Sequence, residues 1–299
     1  MEKIAIIMTV RNRKNVTKIG IESVIKANKG KFDLYFYITD DGSTDGTDKM
    51  LEEMKEKYKN YKFIISKADG NQYWCGGMRI SYGKALKNDN IDYYLWINDD
   101  VEFFDDFFDT LMEDYNFLKS RYDKFLITGA TKDKITGEVT YGARKINLKK
   151  IKTYFKVLLK PNSEVQECNL INGNCMFIDK NVAKCVGNVD KRFIHEEGDY
   201  MYGLELIDLG GKCFLASKYI GYCSQNSKKN TWNDESLSPI KRIKLKHNIK
   251  YQIPRLHIIY LKKLCKKRWL AYLYFIGQYI KIFITSFKYK IKKQHHTSI

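Results

Sequence analysis

The sequence predicts an α/β fold: a mostly parallel central sheet with helices on both faces. Three observations predict it. Short runs rich in Ile, Tyr and Phe alternate with segments of helical period through residue 97, the pattern of repeated strand–helix units. The runs are continuously apolar, as strands covered on both faces are. The unusual polar clusters, at 9–12, 40–41 and 99–100, all fall at the carboxyl ends of those runs, where open parallel sheets bind ligands.

Each element has its own signal. Residues 4–10 are an Ile-rich run with no small-residue cleavage site after it, so they predict a first strand rather than a secretion signal. Residues 16–27 place Ile21, Val24 and Ile25 near helical spacing. Residues 32–39, "FDLYFYIT", predict a second buried strand. A helix over 44–58 carries Leu51, Met54 and Tyr58 on one side. Residues 61–66 predict strand three, 76–86 a helix opened by glycines, and 93–97, "YYLWI", strand four. The stretch 125–170 is less regular, with a turn at Gly137 and a loop or hairpin over 146–170. A strand at 174–179, a short helix at 180–187, a turn and helix over 193–211 and a strand at 212–216 complete the fold.

The chain has 299 residues, 44% of them apolar or aromatic, and three prolines. That is a packed globular composition. Net charge is +18, and it is unevenly placed. Residues 236–299 hold 16 of the 53 Lys and Arg and none of the 35 Asp and Glu. The basicity therefore belongs to the C-terminal region, which points to an anionic surface, a lipid headgroup layer or nucleic acid. The expected organisation is a catalytic domain over 1–235 and a basic, aromatic-rich helical region over 236–299. Seven cysteines include no C-x-x-C pair, which disfavours zinc and reads as reduced thiols of the cytosol.

The clusters carry the chemistry. Asp99 and Asp100 directly follow a buried strand. Acids there can complement a helix N-terminus. They can also share a hard divalent cation, which takes one or two carboxylates plus substrate phosphates. Asp40-Asp41-Gly-Ser can be a turn with a capping Ser43 or Thr44, or a carboxylate that accepts from a base N–H or ribose hydroxyl. Gly76 and Gly77 can serve a tight turn or a close backbone approach to phosphate or sugar. This is neither G-x-G-x-x-G nor a P-loop, which disfavours dinucleotide and ATP binding. In "HEEGDYMYGL", 195–204, Asp199 follows a glycine and begins the helical pattern. That favours it as a general base, with Glu196 and Glu197 in reserve and His195 as a structural hydrogen-bonder.

Together "IMTVRNR", "ITDDGSTDGT", "GNQYWCGGM", "LWINDDV", "NGNCMFID" and "GDYMYGLELIDLGG" resemble the ordered motif set of family 2 glycosyltransferases with the GT-A fold. The Trp-Gly-Gly stretch and the "GDYxYGL" form are similar to a bacterial, rhamnosyltransferase-like subgroup. The resemblance covers residues 3–235. It implies that Thr9, Arg11 and Asp41 line the nucleoside pocket, that Asp99 meets the ribose or sugar, and that Asp100 binds Mg²⁺ or Mn²⁺. It matches Asp199 to the catalytic base. The chain departs from the subgroup at Arg79 and Glu205, where Asn and Arg are usual. The implied reaction transfers a sugar from a nucleotide-diphosphate donor to a hydroxyl of a saccharide or lipid-linked acceptor, with inversion, in cell-surface polysaccharide synthesis.

Residues 269–287 are apolar, but Gln278 and Lys281 interrupt them and basic residues flank them. A charge at bilayer depth costs about 2.5–3.5 kcal/mol on insertion scales. The pattern fits an interfacial helix on an anionic leaflet, hence a cytoplasmic protein peripheral on the inner face of the membrane. The alternative packs Trp269, Leu273, Ile276 and Ile280 on the catalytic domain with the lysines solvated. A nucleic-acid-binding protein using the basic tail is the competing class, disfavoured because strand-end carboxylates repel phosphate. A glycoside hydrolase also uses paired carboxylates but has no use for nucleotide-type strand ends.

Overall fold

The computed structural model describes residues 1–146, 156–265 and 268–296. It divides into two compact units, 1–191 with 198–225, and 192–197 with 226–299. The first unit begins as the sequence predicts: β1 (Lys3–Val10), α1 (Lys14–Asn28), β2 (Asp33–Asp40), α2 (Thr47–Lys57), β3 (Lys62–Lys67), α3 (Tyr73–Ala85) and β4 (Tyr93–Ile97). There follow β5 (Glu102–Phe103), α4 (Phe107–Lys119), β6 (Phe125–Lys132), β7 (Val139–Tyr141), β8 (Arg144–Ile146), β9 (Lys156–Leu158), β10 (Gln166–Cys168), β11 (Cys175–Asp179), α5 (Lys180–Val186), α6 (Gly198–Asp208) and β12 (Lys212–Tyr222).

The main sheet has ten strands in the order β10-β12-β6-β11-β4-β1-β2-β3, with β5 on β12 and β7 on β6. Strands β3, β2, β1 and β4 pair in parallel. β11 enters antiparallel between β4 and β6, and β12 runs parallel to β6. All the long strands therefore point one way except β11.

The two-residue period sorts each strand between two cores. Ile4, Ile6, Met8 and Val10 join Ile21 and Val24 of α1, Leu51 and Met54 of α2, and Phe107 and Leu111 of α4. On β4, Tyr93 meets Tyr115 of α4 at 5.2 Å. Its neighbour Tyr94 faces the other side, 5.3 Å from Tyr82 of α3. Trp96 stands beside Tyr94 on that face, 5.0 Å from Tyr82 and 4.8 Å from Tyr202 of α6. Each fully buried side chain of this size contributes about 1.5–3 kcal/mol, so the unit stands without cross-links, and all seven cysteines are reduced.

Three sequence expectations are corrected. Helix α3 starts at Tyr73, so Gly76 and Gly77 lie in its first turns rather than at its opening. A Cβ on Gly77 would stand 2.0 Å from Thr9 Oγ1: the glycine lets α3 press on β1. The irregular stretch after 125 holds a full strand, β6. Its Gly129 weakens the strand signal, yet a Cβ there would meet Ile220 at 2.4 Å and Cys175 at 3.1 Å. β12 runs on to Tyr222 through register shifts, which break the alternation that marks a strand. Of the predicted loop or hairpin over 146–170, residues 147–155 lie outside the described residues. On either side of them β8 and β9 pair antiparallel.

The second unit is helical: α7 (Pro239–Lys246), α8 (Pro254–Leu264) and α9 (Arg268–His296). Ser238 caps α7 with Pro239 at its first position, as cap chemistry dictates. Ala271, Ile282 and Ser286 of α9 are buried. The Arg242 guanidinium donates to Ile282 O, Thr285 Oγ1 and Ser286 Oγ at 2.8–3.1 Å. Lys246, 1% exposed, donates to Gln278 Oε1 at 2.6 Å and lies 4.2 Å from the Trp232 ring. Two of the tail's cations are thus structural rather than solvated. On α9, Trp269, Leu273, Ile276 and Ile280 are 54–57% exposed.

Candidate active site

The site grows from four loops at the carboxyl ends of the parallel strands. The loop after β1 is laced to the loop after β2. Asn12 N donates to Ser43 Oγ at 2.9 Å, Thr44 N to Asn12 Oδ1 at 2.7 Å, and Lys14 N to Asp45 Oδ2 at 3.1 Å. Asn12 takes a left-handed φ of 51°, which Asn tolerates better than other side-chain-bearing residues.

Asp41, 2% exposed, is an organiser of the third loop. Its Oδ1 accepts from Gly70 N at 2.9 Å and Gln72 N at 3.1 Å, and its Oδ2 from Gln72 N at 3.1 Å and Tyr73 N at 3.0 Å. A carboxylate has about four lone-pair sites, so these amides account for them. Tyr73 itself sits at φ 53°, a costly angle for an aromatic residue, held by that amide bond. Arg11 reaches the same loop, its guanidinium donating to Gly70 O. Thr9 Oγ1 donates to Thr39 O at 3.3 Å and lies under Gly77.

Asp99 and Asp100 sit on the turn after β4, against one face of α1. Gly20 allows that approach, since a Cβ there would stand 3.0 Å from Asp99 O and 3.2 Å from Val101 O. One turn earlier Thr17 Oγ1 donates to Asp99 Oδ2 at 3.2 Å. A further turn back, Arg13 pairs with Asp99 Oδ1 at 3.2 Å and with Asp100 Oδ2 at 2.8 Å. Residues 13, 17 and 20 thus form a helical stripe that grips the acidic turn. Asp100 Oδ1 is buried without a hydrogen-bond partner.

A hydrogen-bond chain then carries the site across the sheet. Trp74 Nε1 donates to Asn98 Oδ1 at 2.8 Å, and Asn98 Nδ2 donates to Asn174 Oδ1 at 3.0 Å. Beside Asn174, Gly173 N donates to Asp199 Oδ2 at 2.9 Å. Gly173 also seats the Trp74 ring, for a Cβ there would meet Trp74 Cζ2 at 2.4 Å. The Asp41 loop, the Asp99–Asp100 turn and Asp199 at the start of α6 are therefore linked through direct contacts within the first unit. Sequence reasoning missed Arg13, Thr17, Asn98 and Asn174 as parts of this chain. Their signal was position alone: each lies inside a motif quoted above or within one helical turn of it.

One of the two reserve residues, Glu197, takes another role, in the second unit. Glu197, at φ 72° and 8% exposed, is bound to His257 Nδ1 at 2.5 Å. The His257 Nε2 meets Gln278 Nε2 at 2.6 Å. Burial and Lys250 hold the His195 imidazole below its ordinary value.

The electrostatics follow from crowding. Burial pushes the Asp99 carboxyl up to about 6, against the opposing pull of Arg13 and with a further push from Asp100. Burial, then the neighbouring Asp100 carboxylate, pushes the Cys223 thiol well above its ordinary range, so Cys223 is a neutral wall of the site rather than a thiolate. A carboxyl with a folded pKa above its unfolded one binds its proton more tightly in the fold. Its stabilisation is full below the unfolded value of 3.8 and is lost as pH rises through about 6. Between pH 5 and 7.5 the wild-type protein should lose about 1–1.5 kcal/mol more stability than Asp99→Asn. Urea unfolding at both pH values measures the difference; parallel pH profiles for the two proteins would refute it.

A divalent cation of the hard type takes oxygen ligands. Among the described residues no group of three or more His, Cys, Asp or Glu could hold a metal ion by itself. Two adjoining carboxylates, one with a buried unpartnered oxygen, suit an ion that draws its other ligands from substrate phosphates and water. The residues therefore fit Mg²⁺ or Mn²⁺ held by Asp100, with Asp99 alongside.

A mostly parallel α/β sheet whose strand ends gather paired carboxylates is the GT-A type of transferase fold. The sequence model of Glycosyl transferase family 2 matches residues 5–163, and the chain belongs to that family. Solved structures share the fold. GalNAc-T7 with UDP, GalNAc and Mn²⁺ superposes with a TM-score of 0.60 at 13% identity, over 76% of this chain and 44% of that one. The mannosyltransferase PcManGT from Pyrobaculum calidifontis, in complex with GDP-Man and Mn²⁺, gives 0.56 at 10% identity, over 95% and 72%. The chain thus spans less than half of the first of these. No curated protein sequence matches it significantly.

Proposed function

We propose that the chain is an inverting glycosyltransferase that moves a sugar from a nucleotide-diphosphate donor to a hydroxyl of a saccharide or lipid-linked acceptor. The setting is bacterial cell-surface polysaccharide synthesis. One observation carries the reading: the hydrogen-bond chain that puts the Asp41 loop, the Asp99–Asp100 turn and Asp199 in one strand-end cluster.

Each residue has a task in that reaction. The loops carrying Thr9, Arg11 and Asp41 hold the nucleoside, with Asp41 acting through the amides it fixes at 70–73. Asp99 meets the ribose or sugar. Asp100 would hold Mn²⁺ or Mg²⁺, which supplies Lewis-acid stabilisation of the leaving diphosphate oxygen. Asp199 accepts the proton of the acceptor hydroxyl as that oxygen bonds the anomeric carbon. The bond from that carbon to the diphosphate breaks on the opposite face, so configuration inverts in one displacement. Gly77 serves by letting α3 lie close to β1, and Gly76 by leaving room for the Gln72 side chain of the 70–73 loop.

The purified protein with Mn²⁺ and a panel of UDP-, GDP- and dTDP-sugars tests the reading. Acceptor-dependent release of a nucleoside diphosphate is expected. Free sugar released from a glycoside, with no nucleotide requirement, would replace the reading with a hydrolase.

We further place the protein at the cytoplasmic face of an anionic membrane. Helix α9 supports this. Residues 268–291 are long and apolar enough to cross a bilayer, with mean hydropathy 1.3, and only 17% of that window is buried. Yet Gln278 is tied to Lys246 and His257, which favours a helix lying in the interface over one crossing it. Trp269, Leu273, Ile276, Ile280, Phe283 and Phe287 are the exposed face, and each basic residue near an anionic leaflet adds about 1 kcal/mol. The protein should float with phosphatidylglycerol-containing vesicles at low salt and leave them at high salt. The double substitution Leu273→Glu, Phe283→Glu should lower partitioning at least about tenfold. Failure to bind anionic vesicles at low salt would refute the placement.

A further inference from the structure

The Arg13 guanidinium is the positive charge that the acidic turn holds in this structure. It bridges the two carboxylates at 3.2 and 2.8 Å, and Thr17 holds a third oxygen of the pair. The fourth, Asp100 Oδ1, is buried and unpartnered. One positive charge thus serves two negative ones. A hard cation on Asp100 would take up the carboxylate that Arg13 now holds, and two cations on one carboxylate pair repel.

Arg13 can yield. Its side chain is 41% exposed, against 7% and 15% for its partners. It stands at the start of α1, directly after the loop of Thr9 and Arg11, with its own amide held by Thr47 Oγ1 at 3.3 Å. The backbone is therefore anchored while the long side chain is not. An arginine displaced beside a diphosphate has a matching planar partner, since its fork of donors suits phosphate oxygens.

We propose that Arg13 is the internal counter-ion of the cation site and exchanges places with the metal. In the free protein it bridges Asp99 and Asp100. When Mn²⁺ or Mg²⁺ takes Asp100, the guanidinium swings to the donor's diphosphate. Metal alone must displace Arg13 with nothing to receive it. Metal with a diphosphate displaces it onto an anion. Arg13 is then a positioning residue that couples the two ligands, and the coupling is reciprocal by linkage. The inference rests on the transferase reading and goes beyond it in assigning this exchange.

The test measures Mn²⁺ binding to the full chain by electron paramagnetic resonance, first without nucleotide and then with UDP or GDP, whichever the donor panel shows to bind. Arg13→Gln should bind free Mn²⁺ at least about tenfold more tightly than wild type, because nothing has to be displaced. In the presence of Mn²⁺ it should bind the nucleoside diphosphate more weakly, so that the coupling factor falls toward one. Arg13→Lys keeps the charge without the fork. It should bind free Mn²⁺ no more tightly than Arg13→Gln and show reduced coupling, and it decides the matter if the Gln variant fails to fold. Unchanged or weaker Mn²⁺ binding by folded Arg13→Gln, or wild-type coupling in either variant, overturns the exchange. If wild type itself binds no metal and no nucleotide, the transferase reading falls instead, so the two failures are distinct.

Discussion

Asp199→Asn should lower kcat by about 10²- to 10⁴-fold, the usual contribution of a positioned general base, while leaving nucleotide affinity within about twofold. The geometry says why the variant is clean. Asp199 Oδ2 accepts from Gly173 N, and Oδ1 accepts from the adjoining Tyr200 N. An Asn side chain keeps one acceptor for Gly173, so the start of α6 and the 172–174 loop stay in place. What it lacks is the capacity to take a proton. Stopped assays of nucleoside diphosphate release, with titration calorimetry for binding, separate the two quantities. A loss confined to kcat marks an interaction made in the transition state. Full activity in Asp199→Asn would remove the residue from the reaction and leave Glu196 as the candidate base, since Glu197 is committed to His257.

Asp100→Asn should weaken Mn²⁺-dependent nucleotide binding by more than about a hundredfold, since even outer-shell partners of a metal are worth about 10–100-fold. Asp99 keeps its bonds to Thr17 and Arg13 in that variant, so the turn after β4 is retained. Calorimetry with and without EDTA reads the effect: chelation should abolish tight nucleotide binding by wild type and change little in the variant. Wild-type binding that ignores both Mn²⁺ and EDTA would take the metal role away from Asp100.

The parallel half of the fold was legible because its strands are buried on both faces. Runs such as Ile4–Val10 and Tyr93–Ile97 need no partner to be recognised. β6 was not, for a tertiary reason: Gly129 answers to Ile220 and Cys175, residues far along the chain. The start of α3 was misread for a similar reason. Gly76 and Gly77 look like a helix opening, but the helix is opened by the amides that Asp41 holds at 70–73, and Gly77 answers to Thr9. In the site, the acids announced themselves by type and position. Their keepers did not. Arg13, Thr17 and Gly20 form a stripe whose meaning depends on the turn at 99–101 lying against it, and Asn98 and Asn174 matter only as a pair.

The thiol inventory has a practical side. Six of the seven cysteines are buried, and Cys185 on α5 alone is exposed. The native chain thus presents one addressable sulfur at a fixed place on its catalytic unit. A maleimide dye or spin label reacts there first, and a single reporter can be installed with no prior cysteine removal.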